Sequence, residues 1–340
     1  MMRMPWFRWH APQSVGEAAS ILAGEGPDAM LIAGGTDLVP NMKRRHQTPK
    51  TLVSVREIPA LRVRTNGNGL RLGAGLTLTE IVHHAGVREN YRALWQAAAQ
   101  IATVHLRNMG TLGGNVCLDT RCTYYNQNYE WRKAIDFCLK KDGEICWVAT
   151  ASKRCVAVSS TDSAPALIAL DAKVKLVSVQ GERELALADL YKNDGIDYLA
   201  RRSDEVLSEI TLPDSTGWRS SYWKLRRRGA FDFPVLGVAA AVKLAPDGAV
   251  EDARIVLGAV ASRPFLVEKA GAALMGRKLT DETIAAAAAA VASRAKPLDN
   301  ADLDLYWRKE VVDDFVGYAL REVRGDDVSA IRLRIARQAL

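Results

Sequence analysis

Several things are missing from this sequence, and each absence excludes something. No stretch is long and apolar enough to cross a bilayer, and the apolar residues 284–292 are mostly alanine, which suits a packed helix. The N-terminal "MMRMPWFRWHAPQS" has basic residues but no apolar core of a signal peptide, so none is expected. There is no phosphate-binding P-loop pattern, no zinc-protease pattern and no C-x2-C pair. The five histidines are dispersed, and the adjacent His83 and His84 fall on a predicted helix, where neighbours in sequence do not share a face. No nucleophile–base pair stands out. The net charge of +7 over 340 residues is modest. The basic runs Lys43–Arg45, Lys140–Lys141, Arg201–Arg202 and Arg226–Arg228 are scattered and lack interleaved aromatic residues, so nucleic-acid binding is not expected.

Cysteine is nearly absent, yet all five cysteines lie between Cys117 and Cys155. The expected compartment is the cytoplasm, where structural disulfides are rare. Clustered cysteines there more often bind metal than each other. Fifteen, seven and eight residues separate Cys122, Cys138, Cys146 and Cys155. Without C-x2-C spacing this is neither a zinc finger nor a ferredoxin run. Four thiolates on a loop of roughly forty residues can still converge, since closing such a loop costs only a few kcal/mol. Sulfur donors in tetrahedral array suit zinc and an iron–sulfur cluster alike, and spacing alone does not choose between them.

The remainder reads as a soluble chain of two or three domains. "PQSVGEAASILAGEG" has the apolar spacing of a helix, and "AMLIAGGTDL" a buried strand that breaks at Gly34 and Gly35. "TLVSV" is a further strand, "LRLGAGLTLTEIVHH" a strand, turn and helix, and "YRALWQAAAQIAT" an amphipathic helix. After the cysteine segment, "PALIALDAKVKLVSV" and "VLSEITLP" return to helix and strand, and Pro213 to Gly217 reads as a linker. Beyond it, strands precede helices, with helices expected over 281–294 and 301–323. For "SAIRLRIARQAL" periodicity does not decide between strand and helix. The expected units are 1–217, with an inserted loop at 117–156, then 218–325 and a C-terminal extension 326–340.

Two glycine turns carry the ligand signal. "LIAGGTDL" ends a strand in paired glycines, whose backbone N–H groups can approach an anion without a Cβ in the way. Asp37 has the wrong sign for a phosphate and is expected to orient the loop. "RNMGTLGGNV" repeats the theme with Gly110, Thr111, Gly113, Gly114 and Asn115. Two such loops suggest a long ligand with a diphosphate in its middle. "GEGPDA" fits a dinucleotide fingerprint as a string, but it precedes its strand and contains Pro27, so it is rejected.

The motifs "LIAGGTDLVPNMKRR", "LVSVREIPALRV", "LRLGAGLTLTEI", "LRNMGTLGGNV", "SSTDSAPALIALDA" and "KLRRRGAFDFPVLGVAAAV" occur in this order. The set resembles the flavin-binding subunits of the xanthine dehydrogenase and carbon monoxide dehydrogenase family. The resemblance implies an α+β chain: an FAD domain of the vanillyl-alcohol-oxidase type in two subdomains, then a smaller α+β C-terminal domain of the CO-dehydrogenase flavoprotein type. It implies FAD contacts from Leu31, Ile32, Ala33, Gly34, Gly35, Thr36 and Asp37, and from Gly110, Thr111, Leu112, Gly113, Gly114 and Asn115. Asp162 matches an acidic position on the flavin's polar side chain, and Lys224 a basic position near the isoalloxazine or diphosphate; read locally, Lys224 is a surface strand lysine.

Most flavin subunits of this family lack the cysteine insert. The 4-hydroxybenzoyl-CoA reductase branch is similar in carrying one, and there it holds a 4Fe–4S cluster. The resemblance therefore implies Cys122, Cys138, Cys146 and Cys155 as ligands of such a cluster, with Cys117 a small buried residue. Tyr124, Tyr125, Tyr129, Trp131 and Trp147 would shield it, although ordinary packing of an insertion explains them equally. It also implies partners: a molybdenum-cofactor large subunit and a 2Fe–2S small subunit in a dimer of heterotrimers, with ferredoxin as donor. Electrons would then pass through the cluster and FAD toward 2Fe–2S and molybdenum, to dehydroxylate an aromatic acyl-CoA. An oxidative molybdenum hydroxylase, or a stand-alone flavoenzyme with a zinc-stapled insert, are the alternatives.

Overall fold

In the computed structural model the described residues are 3–335 and 338. Three sheets organise them. The first is parallel, with β1 (Arg8–His10) and β2 (Ala29–Ile32) flanking β3 (Thr51–Ser54). The helix Val15–Glu25 forms the crossover between β1 and β2. Ser14 caps it, accepting from Glu17 N–H, and it buries Ala18, Ala19 and Leu22 beside Val53, Ile58 and Leu61.

The second sheet is antiparallel, in the order β4 (Arg64–Gly67), β5 (Gly69–Gly73), β8 (Val206–Leu212), β6 (Lys173–Ser178), β7 (Gly181–Ala186). β6 alternates as a half-buried strand should: Val174 and Leu176 enter the core, while Lys173 is exposed and Lys175 half-buried. Helices Arg92–Gln100 and Ser163–Ala169 pack into the same core.

β9 (Trp218–Leu225), β10 (Leu236–Leu244), β11 (Val250–Gly258) and β12 (Phe265–Leu266) make the third sheet, in the order β12-β11-β10-β9. It is buried on both faces. Ala239 and Ala241 of β10 join the core of the second sheet, whereas Val238, Ala240 and Val242 pack under helices Glu268–Leu274, Asp281–Ala292 and Val312–Arg324. A strand covered on both sides reads as a continuous apolar run.

The single helix expected over 301–323 is two, Leu305–Glu310 and Val312–Arg324, interrupted at Val311. Buried Arg308 holds the first by donating to the carbonyls of Val235, Leu298 and Ala259. The undecided C-terminal stretch contains the helix Ser329–Ile335. Among the described residues, no helix is long and apolar enough to cross a membrane.

Candidate functional site

The two glycine turns meet. The first follows β2; the second caps the short helix Leu112–Val116, with Thr111 Oγ1 accepting from Gly114 N–H at 3.0 Å. A Cβ on Gly34 would lie 1.8 Å from the carbonyl oxygen of Met109, so the two backbones touch. The second turn is stitched to residues 74–78: Leu112 N–H donates to Leu76 O, Gly113 N–H to Ala74 O, and Leu78 N–H to Gly110 O. Beside this junction lies a cavity of about 330 Å³, into which Ala33, Gly34, Thr77, Thr111, Arg56 and Arg62 open. Glu80 lines it as well. Burial pushes that carboxyl up, but the Thr77 N–H and hydroxyl and the Arg62 and Arg64 guanidinium groups outweigh it and hold the pKa below the usual value.

This arrangement suits a phosphate-bearing ligand, with backbone, three threonine hydroxyls and two guanidinium groups on one cavity, one of them, Arg62, held by the Glu80 carboxylate at 2.9 Å. It also changes what the glycines are for. Gly35 sits at φ +68°, and a Cβ there would face Val39 and Ile32, at 3.2 and 3.3 Å, so it is a conformational requirement rather than a ligand gap. Gly113 is pressed against Ala74 in the same way. Gly114 is the open one: a Cβ would meet only its own capping hydroxyl, Thr111 Oγ1, at 3.0 Å. Asp37 does orient its loop, pairing with Arg121 and accepting from Asn41 Nδ2 at 2.9 Å. Burial raises its pKa, and Arg121 opposes that rise.

Asn115 and Asp162 are joined through the segment between them in space. Asn115 Oδ1 accepts from Thr161 Oγ1, Ser163 N–H and Ser163 Oγ, at 2.8, 3.1 and 2.6 Å. Lys224 is not the surface lysine that its strand suggests; it is fully buried. Its ammonium donates to Asp162 Oδ2 at 2.9 Å, Gln100 O at 3.2 Å and Asp232 O at 2.8 Å. All three donors are used, and the ammonium holds Asp162. Asp162 Oδ1 accepts from Tyr222 Oη at 2.8 Å. Burial pushes the carboxyl up and the ammonium down, and their ion pair opposes both shifts. Tyr222, Arg56 and Arg62 were missed from the sequence, because no local pattern places them against residues so far away in the chain.

The cysteine insert is a second site. The antiparallel bridge between Arg121 and Val158 closes its base, and a helix, Tyr129–Ala134, lies within it. Cys122, Cys138, Cys146 and Cys155 are all buried and free, and all line one small cavity, of about 10 Å³, with Tyr125 and Trp147 in its wall. That space is the size of one water. Among the described residues, no group of three or more His, Cys, Asp or Glu side chains is placed to hold a metal ion. The donor chemistry is nonetheless that of a thiophilic centre: four soft sulfurs, with the N–H groups of Tyr124 and Tyr125 on Cys122 and that of Ala157 on Cys155. Burial pushes Cys122 up and Cys155 to about 11, and neighbouring cysteines add to both. Cys117 does not line this cavity; it packs against the core of the second sheet. Tyr125 is fully inside, whereas Tyr129 and Trp131 are exposed and so shield little.

Hydrogen bonds connect the two sites. Arg121 binds Asp37 and Asn41. Asn41 Nδ2 donates to Gln47 Oε1 and Gln47 Nε2 donates to Asp119 Oδ2, each at 3.4 Å. Asp119 then accepts from Tyr125 Oη and Lys140 Nζ, both in the wall of the cysteine cavity.

Comparison with known proteins agrees with this architecture. Residues 5–215 match the FAD binding domain in molybdopterin dehydrogenase, and residues 220–323 the CO dehydrogenase flavoprotein C-terminal domain. The chain is 34% identical to the aldehyde oxidoreductase FAD-binding subunit PaoB of Escherichia coli, over 79% of this chain and 87% of that one. It is 28% identical to the nicotinate dehydrogenase FAD-subunit of Eubacterium barkeri, over 90% and 92%. The solved structure of carbon monoxide dehydrogenase from Hydrogenophaga pseudoflava superposes with a TM-score of 0.78 at 28% identity, covering 94% of this chain and 98% of that chain. The chain therefore belongs to the family of FAD-binding medium subunits of molybdenum hydroxylases and carbon monoxide dehydrogenases. It is an electron-transfer, FAD-binding subunit of a molybdenum-hydroxylase-type complex.

Proposed function

We propose that this subunit serves an oxidative molybdenum hydroxylase, taking up electrons that a partner's molybdenum centre withdraws from its substrate. The observation that carries the reading is the interlocked pair of glycine turns beside a cavity lined by Arg56, Arg62, Thr77 and Thr111. Leu31–Asp37 and Gly110–Asn115 would hold the FAD diphosphate, with Ala33, Gly34 and Thr111 opening on the cavity. Asp162, fixed by Lys224 and Tyr222, would take the flavin's polar side chain. The oxidative direction is supported by relatives whose names are those of an aldehyde oxidoreductase, a nicotinate dehydrogenase and a carbon monoxide dehydrogenase. The complex would add a molybdenum large subunit and a 2Fe–2S small subunit, as a dimer of heterotrimers.

A specific observation favours a second reading. The four buried thiols on one cavity suit the 4Fe–4S insert of the 4-hydroxybenzoyl-CoA reductase branch, with ferredoxin as donor. When bound, FAD exchanges electrons singly or in pairs, and a 4Fe–4S cluster passes them one at a time. In either direction this chain's residues bind, orient and shield; the carbon chemistry belongs to a partner.

The test is anaerobic assay of the complex purified with its partner subunits. An aldehyde or N-heterocycle with an artificial acceptor is offered in one arm, and 4-hydroxybenzoyl-CoA with a low-potential reductant in the other. Product in the first arm alone supports the oxidative reading, and in the second alone the reductive one. Turnover by the isolated chain would overturn both and favour a self-contained flavoenzyme.

A further inference from the structure

Lys140 is the only charged side chain lining the cysteine cavity among the described residues. Its side chain is 7% exposed, and three acceptors hold the ammonium: Asp119 Oδ1 at 2.8 Å, Thr120 Oγ1 at 2.8 Å and Gly195 O at 2.6 Å. It also lies 4.8 Å from the centre of the Tyr125 ring. Gly195 ties it to Cys155. The Gly195 N–H donates to Cys155 O at 2.9 Å, and a Cβ on Gly195 would stand 2.6 Å from Cys155 Sγ. Asp119 lies outside the lining, with its other oxygen on Tyr125 Oη at 3.0 Å. Of the ion pair, Lys140 therefore lines the thiol cavity and Asp119 does not.

A buried ion pair that only anchored the insert would not need its cation in the wall of the thiol cavity. Four thiolates around a metal centre carry net negative charge, and each added electron increases it. In a low-dielectric site that charge is costly unless a cation compensates it. We propose that Lys140 is the charge-compensating residue of the four-thiolate centre and sets its reduction potential, with Asp119 positioning the ammonium. This rests on the iron–sulfur reading of the insert.

The test uses the full chain, purified anaerobically with its FAD, as wild type, Lys140→Gln, Lys140→Arg and Asp119→Asn. Iron and zinc are measured, and the cluster is titrated by electron paramagnetic resonance. Lys140→Gln is expected to lower the midpoint potential so that the reduction constant falls about tenfold, or about 59 mV for one electron. Asp119→Asn is expected to raise it, and Lys140→Arg to stay near wild type. With iron retained, unchanged midpoints or shifts of the same sign in Lys140→Gln and Asp119→Asn overturn the proposal. Loss of iron from Lys140→Gln but not from Lys140→Arg supports it; loss from both overturns it. If the wild type holds zinc, the iron–sulfur reading fails separately, and zinc release to a chelator then decides. Faster release from Lys140→Gln and slower release from Asp119→Asn support charge compensation, and equal rates overturn it. A wild-type chain with neither metal overturns both.

Discussion

Gly34 and Met109, seventy-five positions apart in the chain, are in backbone contact: a Cβ on the glycine would stand 1.8 Å from the methionine carbonyl oxygen. The junction of the two turns, and with it the cavity, depends on that missing carbon. Gly34→Ala is expected to cost about 3 kcal/mol and to lose FAD, because backbone must move. Gly35→Ala should cost about 1–2 kcal/mol through its positive φ, with partial FAD loss. Gly114→Ala should leave the melting temperature near wild type while weakening FAD about tenfold, or about 1.4 kcal/mol. Flavin per chain, flavin affinity and thermal melts separate the three, and equal behaviour of Gly34→Ala and Gly114→Ala would contradict the assignment.

The Asp162–Lys224 pair makes a different demand. Removing one partner leaves the other charge buried, which typically costs about 3–5 kcal/mol, whereas replacing both by apolar groups costs far less. Asp162→Asn should therefore destabilise the chain strongly in urea unfolding, and adding Lys224→Met should recover much of the loss. A double variant no more stable than Asp162→Asn would mean that the pair contributes packing rather than charge balance.

How legible this was differs from residue to residue. The turns were readable because each places glycines where a strand or helix must break, which is a local signal. The Thr77–Glu80 capping box and the Thr280 cap in the structure are built from equally local signals. The burial of Lys224 is not legible locally, because its strand is covered on both faces and its partners Asp162 and Gln100 arrive from distant segments. The break at Val311 is not legible because the apolar spacing continues across it, and the burial of Arg308 on three distant carbonyls is equally invisible in the sequence. Likewise, cysteine spacing pointed to one site, but nothing in the spacing showed that Lys140 and Asp119 would stand behind it.

His46 supplies a pH dependence. Its ring is 3% exposed, stacks on Tyr125 with centroids 4.5 Å apart, and bonds through Nε2 to Gln127 O at 2.9 Å, fastening the insert to the flavin half. Burial, aided by Arg132, Arg121 and Arg44, lowers its pKa from 6.5 to about 4. Between these values the unfolded chain binds the proton and the folded chain does not. Stability is thus fully present above pH 6.5 and is lost as pH falls toward 4. Urea unfolding at pH 7 and pH 4.5 should differ by about 2 kcal/mol more in the wild type than in His46→Phe. An identical pH difference in both proteins would show that the ring is protonated or accessible in the fold.

The cysteines divide into four and one, and the division can be tested. Cys122, Cys138, Cys146 and Cys155 share a cavity, while Cys117 packs into the core near Tyr191. Serine in place of any of the four removes a soft thiolate and leaves a hydroxyl that holds a thiophilic metal poorly. Cys138→Ser and Cys146→Ser should therefore lose the metal. Both should keep FAD, because the cavity by the glycine turns is built from other segments. Cys117→Ser should keep both cofactors and lose only some stability, since it puts a hydroxyl among apolar neighbours. Metal and flavin per chain, measured on anaerobically purified variants, check this directly. Metal loss in Cys117→Ser with retention in Cys138→Ser would reverse the assignment of ligands, and flavin loss accompanying metal loss would mean that the two sites fold as one unit.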